Sequence, residues 1–124
     1  TLEQAAAKIK SRMKIRTLRV VGDPQMRMTH IALLPGAAGA ERQIRLLERD
    51  DVEVLVAGES REWETVEYVR DAVTAGEHKA LILMGHVPSE EAGMDECARW
   101  LKGIVPEVPV EYVPAGEPFW TPRP

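Results

Sequence analysis

The chain has 124 residues, 20 acidic against 16 basic side chains and a formal net charge of −4. With 44% hydrophobic and 29% charged residues, it has the composition of one globular domain that can bury a core without staples, not that of a disordered segment. The mild acidity argues against a nucleic-acid groove or an anionic membrane surface as partner. No stretch approaches the ~20 apolar residues of a membrane helix, and no signal peptide is visible. The one cysteine, Cys97, excludes an internal disulfide and fits a reducing cytoplasm. Thr1 stands first where Met is usual, which fits a processed product or a piece of a longer protein.

Thr1-Leu2-Glu3-Gln4 has the spacing of a capping box, and Leu2, Ala5, Ala6, Ile9 and Met13 mark one face of a helix ending near Lys14. The alternating basic residues Lys8, Lys10, Arg12, Lys14 and Arg16 read as a solvated face. A strand is expected over 17–21 and another over 29–34, with Gly22-Asp23-Pro24 between them, and the two are expected to pair as a hairpin. Strands and helices then alternate. Pro35 to Gly39 is a small-residue turn, Ala40, Ile44 and Leu47 give a short helix, and 52–57 is an apolar strand. Val66, Val69, Ala72 and Val73 line the next helix, with Gly76 suited to its C-cap. The all-apolar run 80–84 has the pattern of a central parallel strand. Gly85-His86-Val87-Pro88-Ser89 then leads into a helix whose expected buried face is Met94, Cys97, Ala98, Leu101 and Ile104 or Val105. A last strand is expected over 110–113. The tail 114–124 has four prolines and should be irregular, with Phe119 and Trp120 packed back on protein. The expected architecture is a single α/β domain over 1–124. It has a mostly parallel sheet of about five strands, helices packed on it, an N-terminal helix and a hairpin strand.

Three of these parallel strands should finish at one sheet edge, each closely followed by glycine: Gly36, Gly58 and Gly85. Ligands of open α/β sheets bind outside such edges. The polar residues arriving there are Glu59, Ser60, His86 and Glu90. His86 follows the most apolar strand through a single glycine, and Glu90 lies one helical turn further on. An imidazole and a carboxylate at that spacing can converge on a Zn, Mn or Fe ion. Two plainer readings stand beside this one: Glu90 and Glu91 also suit a helix N-terminus, and His86 could bond a nearby carbonyl. Gly36 and Gly39 give the first turn a faint likeness to a phosphate cradle, without the Lys-Ser/Thr ending of a P-loop.

The stretch Leu83-Met84-Gly85-His86-Val87-Pro88-Ser89-Glu90 resembles the strand–Gly-His-x-x-Ser/Thr-Glu signature of the Nif-three-like family, also described as type 2 GTP cyclohydrolase I homologues. Val54 to Glu59 is similar to that family's strand ending in Thr-Gly-Asp/Glu, and Ile31 to Gly39 to its strand and glycine-rich turn. The resemblance implies an α/β protein with a dinuclear metal centre, hydrolase-like chemistry and assembly as a homo-oligomer. It assigns His86 and Glu90 as metal ligands and puts Glu59 near them; Ser60, Gly36 and Gly39, at the same strand ends, are further candidates for supporting the ligands or contacting substrate. It also implies that this chain corresponds to the C-terminal half of such a protein. The family's His-His pair and Asp lie in an N-terminal half not present here. Ala57 replaces the usual Thr, and Trp63 stands where many relatives carry His. The alternatives are a non-catalytic interaction or regulatory domain that oligomerises, and a phosphate or nucleotide binder at Gly36 to Gly39.

Overall fold

The structure is a computed structural model and describes residues 1–122. Its elements run α1 (Leu2–Arg12), β1 (Arg19–Val21), β2 (Ile31–Leu34), α2 (Ala40–Leu47), β3 (Val54–Ala57), a π-helical turn (Glu62–Val66) continuing as α3 (Glu67–Thr74), β4 (Ala80–Leu83) and α4 (His86–Ile104). The α/β class and the mostly parallel sheet stand as the sequence indicates, with four strands in place of five, in the order β1-β4-β3-β2.

The expected hairpin does not form. β1 pairs antiparallel with β4 at one edge, and β2 pairs parallel with β3 at the other. The connecting segment is held by α1 instead: Leu2 N–H donates to Met26 O and Glu3 N–H to Pro24 O. The chain therefore passes along the first turn of α1 on its way to the far edge of the sheet. The expected strand at 110–113 is also absent. Pro106, Pro109 and Pro114 interrupt this region and cannot donate to a ladder. Val110, Tyr112 and Val113 face Met94, Cys97 and Leu101 of α4 across an open groove of about 470 Å³.

Two cores flank the sheet, and the side-chain alternation of the strands assigns them. Val54, Val56, Ala80 and Ile82 point toward α1 and meet Leu2, Ala6 and Ile15. Leu55, Ala57, Leu81 and Leu83 point the other way, toward Leu47 of α2 and Val69 of α3. β3 and β4 are buried on both faces, which explains their unbroken apolar runs. The capping box at Thr1 and Gln4 is formed. Gly76, at φ +87°, lets Glu77 N–H reach back to Ala72 O and close α3. The α4 stripe departs from expectation: Ala98 is buried, but Met94 and Ile104 are more than half exposed. Phe119 and Trp120 also stay exposed rather than packing back.

The N-terminal ends of the strands are tied by Glu53. Its carboxylate accepts from the backbone N–H of Thr29 and of His30 (2.7 Å), and His30 and His78 flank it. Those two backbone hydrogen bonds pull its ionisation down to about 2. Since the folded value lies below the unfolded one, this contribution is complete above the ordinary carboxylate range and is lost as pH falls toward 2. The Glu53→Gln variant should therefore show a flatter decline of melting temperature between pH 5 and pH 2 than the parent, measured by calorimetry across that range. Leu81, fully buried between β3 and the helices, sets a second expectation: Leu81→Ala should lower unfolding free energy by about 2–5 kcal/mol in denaturant titration.

Candidate functional site

Leu34, Ala57 and Leu83 are register neighbours, so β2, β3 and β4 end side by side. The backbone stays zipped beyond the strands. Gly58 N–H donates to Leu34 O, Glu59 N–H to Gly36 O (3.0 Å), and Gly85 N–H to Gly58 O (2.8 Å). Ser89 completes the lock: its hydroxyl accepts from Gly36 N–H at 2.9 Å and donates to His86 O at 2.6 Å. Gly58 lies inside this knot. A Cβ there would stand 2.5 Å from Gly36 N, Gly36 O and Ser89 Oγ.

α4 begins at His86, with Gly85 (φ +94°) at the N-cap. Ser89 is therefore not the cap that its position suggests; its hydroxyl is used across the turns instead. Glu90 lies a full turn inside the helix, beyond the N-terminal turn that would account for an acidic residue on dipole grounds alone.

Glu59, His86 and Glu90 are brought together. His86 Nε2 is 3.1 Å from Glu90 Oε2, and His86 Nδ1 is 3.5 Å from Glu59 Oε1. The three form a row, carboxylate–imidazole–carboxylate, rather than a cage. Among the described residues, no three His, Cys, Asp or Glu side chains are placed to hold one metal ion. The side chains are 43–54% exposed, so each reaches solvent. Gly36, at φ +68°, lies beneath them, and any side chain there would displace the Glu90 carboxylate, since its Cβ would come within 2.2 Å of Oε1. The Gly36 N–H is already taken by Ser89 and does not face a phosphate. Gly39 and Ser60 lie in the turns that follow β2 and β3. Both line a cleft of about 1180 Å³ that opens beside His86, and Ser60 Oγ donates to Arg61 O.

Two polar residues, one behind the row and one along the cleft, escape a reading by motif. Gln43 is fully buried; its Nε2 donates to Glu59 O at 2.8 Å, and its Oε1 accepts from the buried Thr65 hydroxyl at 2.7 Å. The network fixes the Glu59 turn against the π-helical turn. Its signal in the sequence is Gln43 itself, a polar residue on the same helical face as Ala40 and Leu47. Glu117 is the other. Its carboxylate accepts from the backbone N–H of Arg16 (2.8 Å) and Thr17 (2.9 Å) and from the Thr17 hydroxyl, which anchors the tail along the cleft.

Charged side chains are thus gathered at the strand ends of an open α/β sheet, the edge at which such sheets bind their ligands. The family comparison makes this specific: the model of Duf34/NIF3 (NGG1p interacting factor 3) matches residues 1–116, and the chain belongs to that family. No curated protein matches. Two crystal structures of Staphylococcus aureus protein SA1388 are similar to the chain. One shows 25% identity and a TM-score of 0.66 over 86% of this chain and 32% of that one. The other shows 22% identity and a TM-score of 0.68 over 98% and 39%. A Bacillus cereus protein related to NIF3 gives 19% identity and a TM-score of 0.74 over 98% of this chain and 32% of its own. The chain thus spans about a third of the length of these structures.

Gly58→Ala tests the lock. The added methyl meets backbone, so the turns must separate. Unfolding free energy should fall by about 1–3 kcal/mol, and exchange of the Gly36 amide should quicken in hydrogen-exchange measurements.

Proposed function

We propose that this domain supplies part of a divalent-metal centre for hydrolysis, with His86 and Glu90 as ligands and Glu59 as the acceptor that orients the imidazole. The observation that carries this reading is the row itself. A neutral imidazole has one N–H, so with carboxylates facing both nitrogens one lone pair points at negative charge unless a proton or a cation lies between. Glu59 beside Nδ1 favours the tautomer that leaves Nε2 free. The 3.1 Å between Nε2 and Glu90 Oε2 suits two ligands of one ion, which stand about 3.0–3.4 Å apart when each bond is about 2.1 Å. Gly36 keeps that edge open by having no side chain.

The donor types suit Zn, Mn or Fe. Such an ion would supply Lewis-acid polarisation and an activated water for cleavage of an ester, amide or phosphate bond. The chain's own residues hold the geometry: Ser89 pins the His86 carbonyl, and Gln43 pins the Glu59 turn. Two protein ligands are fewer than a catalytic ion usually takes, so the remaining ligands come from another part of a longer chain or from a partner chain. Exposed apolar side chains, Leu33, Trp100 and Trp120 among them, favour association with further protein and support a homo-oligomer. They equally support an interaction domain without catalysis, and metal binding separates the two. Among the described residues no helix is long and apolar enough to cross a membrane.

In equilibrium dialysis against Zn and Mn, the purified chain should retain an ion, and His86→Ala or Glu90→Gln should weaken retention tenfold or more. An ion-free chain that His86→Ala leaves unchanged would sink the metal reading in favour of the interaction domain.

A further inference from the structure

The cleft beside His86 has a second wall that the metal reading does not use. Trp63 and Phe119 both line it, and they are 74% and 68% exposed. Each is presented by an anchored segment. Trp63 lies in the π-helical turn Glu62–Val66, which the buried Thr65–Gln43 hydrogen bond fixes in place. π-turns are rare and cluster at functional sites, because the extra residue re-aims side chains at a cost in helix geometry. Phe119 follows Glu117 by two residues, and Glu117 is held by Arg16 and Thr17.

The cleft is also lined by cations, Lys10, Arg19 and Arg61, alongside the carboxylates of Glu59, Glu62 and Glu117. Lys10 has no carboxylate partner among the described residues, although it lines the cleft. Arg19 engages Glu62 through one nitrogen, and Arg61 meets Glu64 only at 3.4 Å. A guanidinium has five N–H donors, so both arginines keep donors free for an anion.

We propose that this wall binds a small planar aromatic compound bearing an anionic group, of the aryl phosphate class. The ring would stack on Trp63 and Phe119, and the anion would meet Lys10, Arg19 and Arg61. This deepens the reading of the same cleft by naming the class of ligand, but the binding itself needs no metal. An exposed indole and phenyl offer flat faces without a partner, which is what ring stacking requires. The nearby cations supply the charge complement. A cleft of about 1180 Å³ is somewhat larger than the usual small-molecule site of roughly 300–1,000 Å³ and admits a bicyclic ring with its phosphate.

The test is calorimetric titration of the full chain, freed of metal with EDTA, using 1-naphthyl phosphate, inorganic phosphate and 1-naphthol as probes. Naphthyl phosphate should bind at least tenfold more tightly than either fragment. Trp63→Ala should weaken it fivefold or more, and Trp63→Phe should restore most of the loss. The Lys10→Ala/Arg61→Ala double variant should weaken naphthyl phosphate but not naphthol, and should reduce the salt dependence. All these side chains are exposed, so melting temperatures should match the parent's. Equal affinity for naphthyl phosphate and inorganic phosphate overturns the proposal, as does unchanged affinity in Trp63→Ala. Because no metal is present in the titration, a chain that fails to bind Zn or Mn leaves this outcome readable on its own.

Discussion

The structure depends on a close backbone approach at one point, Gly58. Three turns from three strands meet there, and only a residue without a side chain lets the Gly36 peptide and the Ser89 hydroxyl close over it. Ser89 satisfies both sides of the contact, accepting from one turn and donating to the start of α4. The result is a rigid floor at the carboxyl ends of β2, β3 and β4. Side chains on such a floor are held by backbone hydrogen bonds rather than by their own packing, so they can remain half exposed and still have fixed positions.

That arrangement explains how Glu59, His86 and Glu90 can stand in a row with little burial. Two carboxylates on either side of one imidazole are kept close by the turns that bear them, not by mutual attraction. Exposed ion pairs contribute little to stability, so the row adds little to the fold. Its linear form also limits it. A metal ion on the Nε2–Glu90 edge would receive two ligands from this domain, and Glu59 would act through the other nitrogen. The protein's other positioning group, Gln43 with Thr65, lies behind the row and is buried.

The rest of the surface leaves several large apolar side chains exposed. β2 is an edge strand, and its Ile31 and Leu33 lie on the α1 side of the sheet, where nothing covers them among the described residues. Met94, Cys97 and Leu101 of α4 face the tail across an open groove. Tyr112 lies in that groove, where the neighbouring Glu91 carboxylate, then burial, push its phenol up to about 12. These features accompany membership of the Duf34/NIF3 family, whose solved relatives are about three times as long.

Much of this was legible in the chain. The alternation of apolar strands with amphipathic helices specified the α/β class, because a strand buried on both faces needs the unbroken runs seen at 54–57 and 80–83. The glycines after each strand put three turns at one sheet edge, and one-turn spacing put Glu90 beside His86 there; their reading as metal ligands came from the family resemblance and not from spacing. Other features were decided only by the tertiary structure. β1 joins β4 rather than β2 because α1 holds the connecting segment and carries it to the far edge, a contact between parts distant in sequence. Segment 110–113 has strand-like residues but joins no ladder: Pro109 and Pro114 bound it closely on both sides, and it lies against α4 rather than at a sheet edge. Glu59 meets the far nitrogen of His86 through parallel register, and Glu117 meets Arg16 and Thr17 across about a hundred residues of chain. Local sequence sets periodicity and turns because those depend on neighbouring residues. It does not set which edges meet, which depends on the free energy of burying the whole sheet.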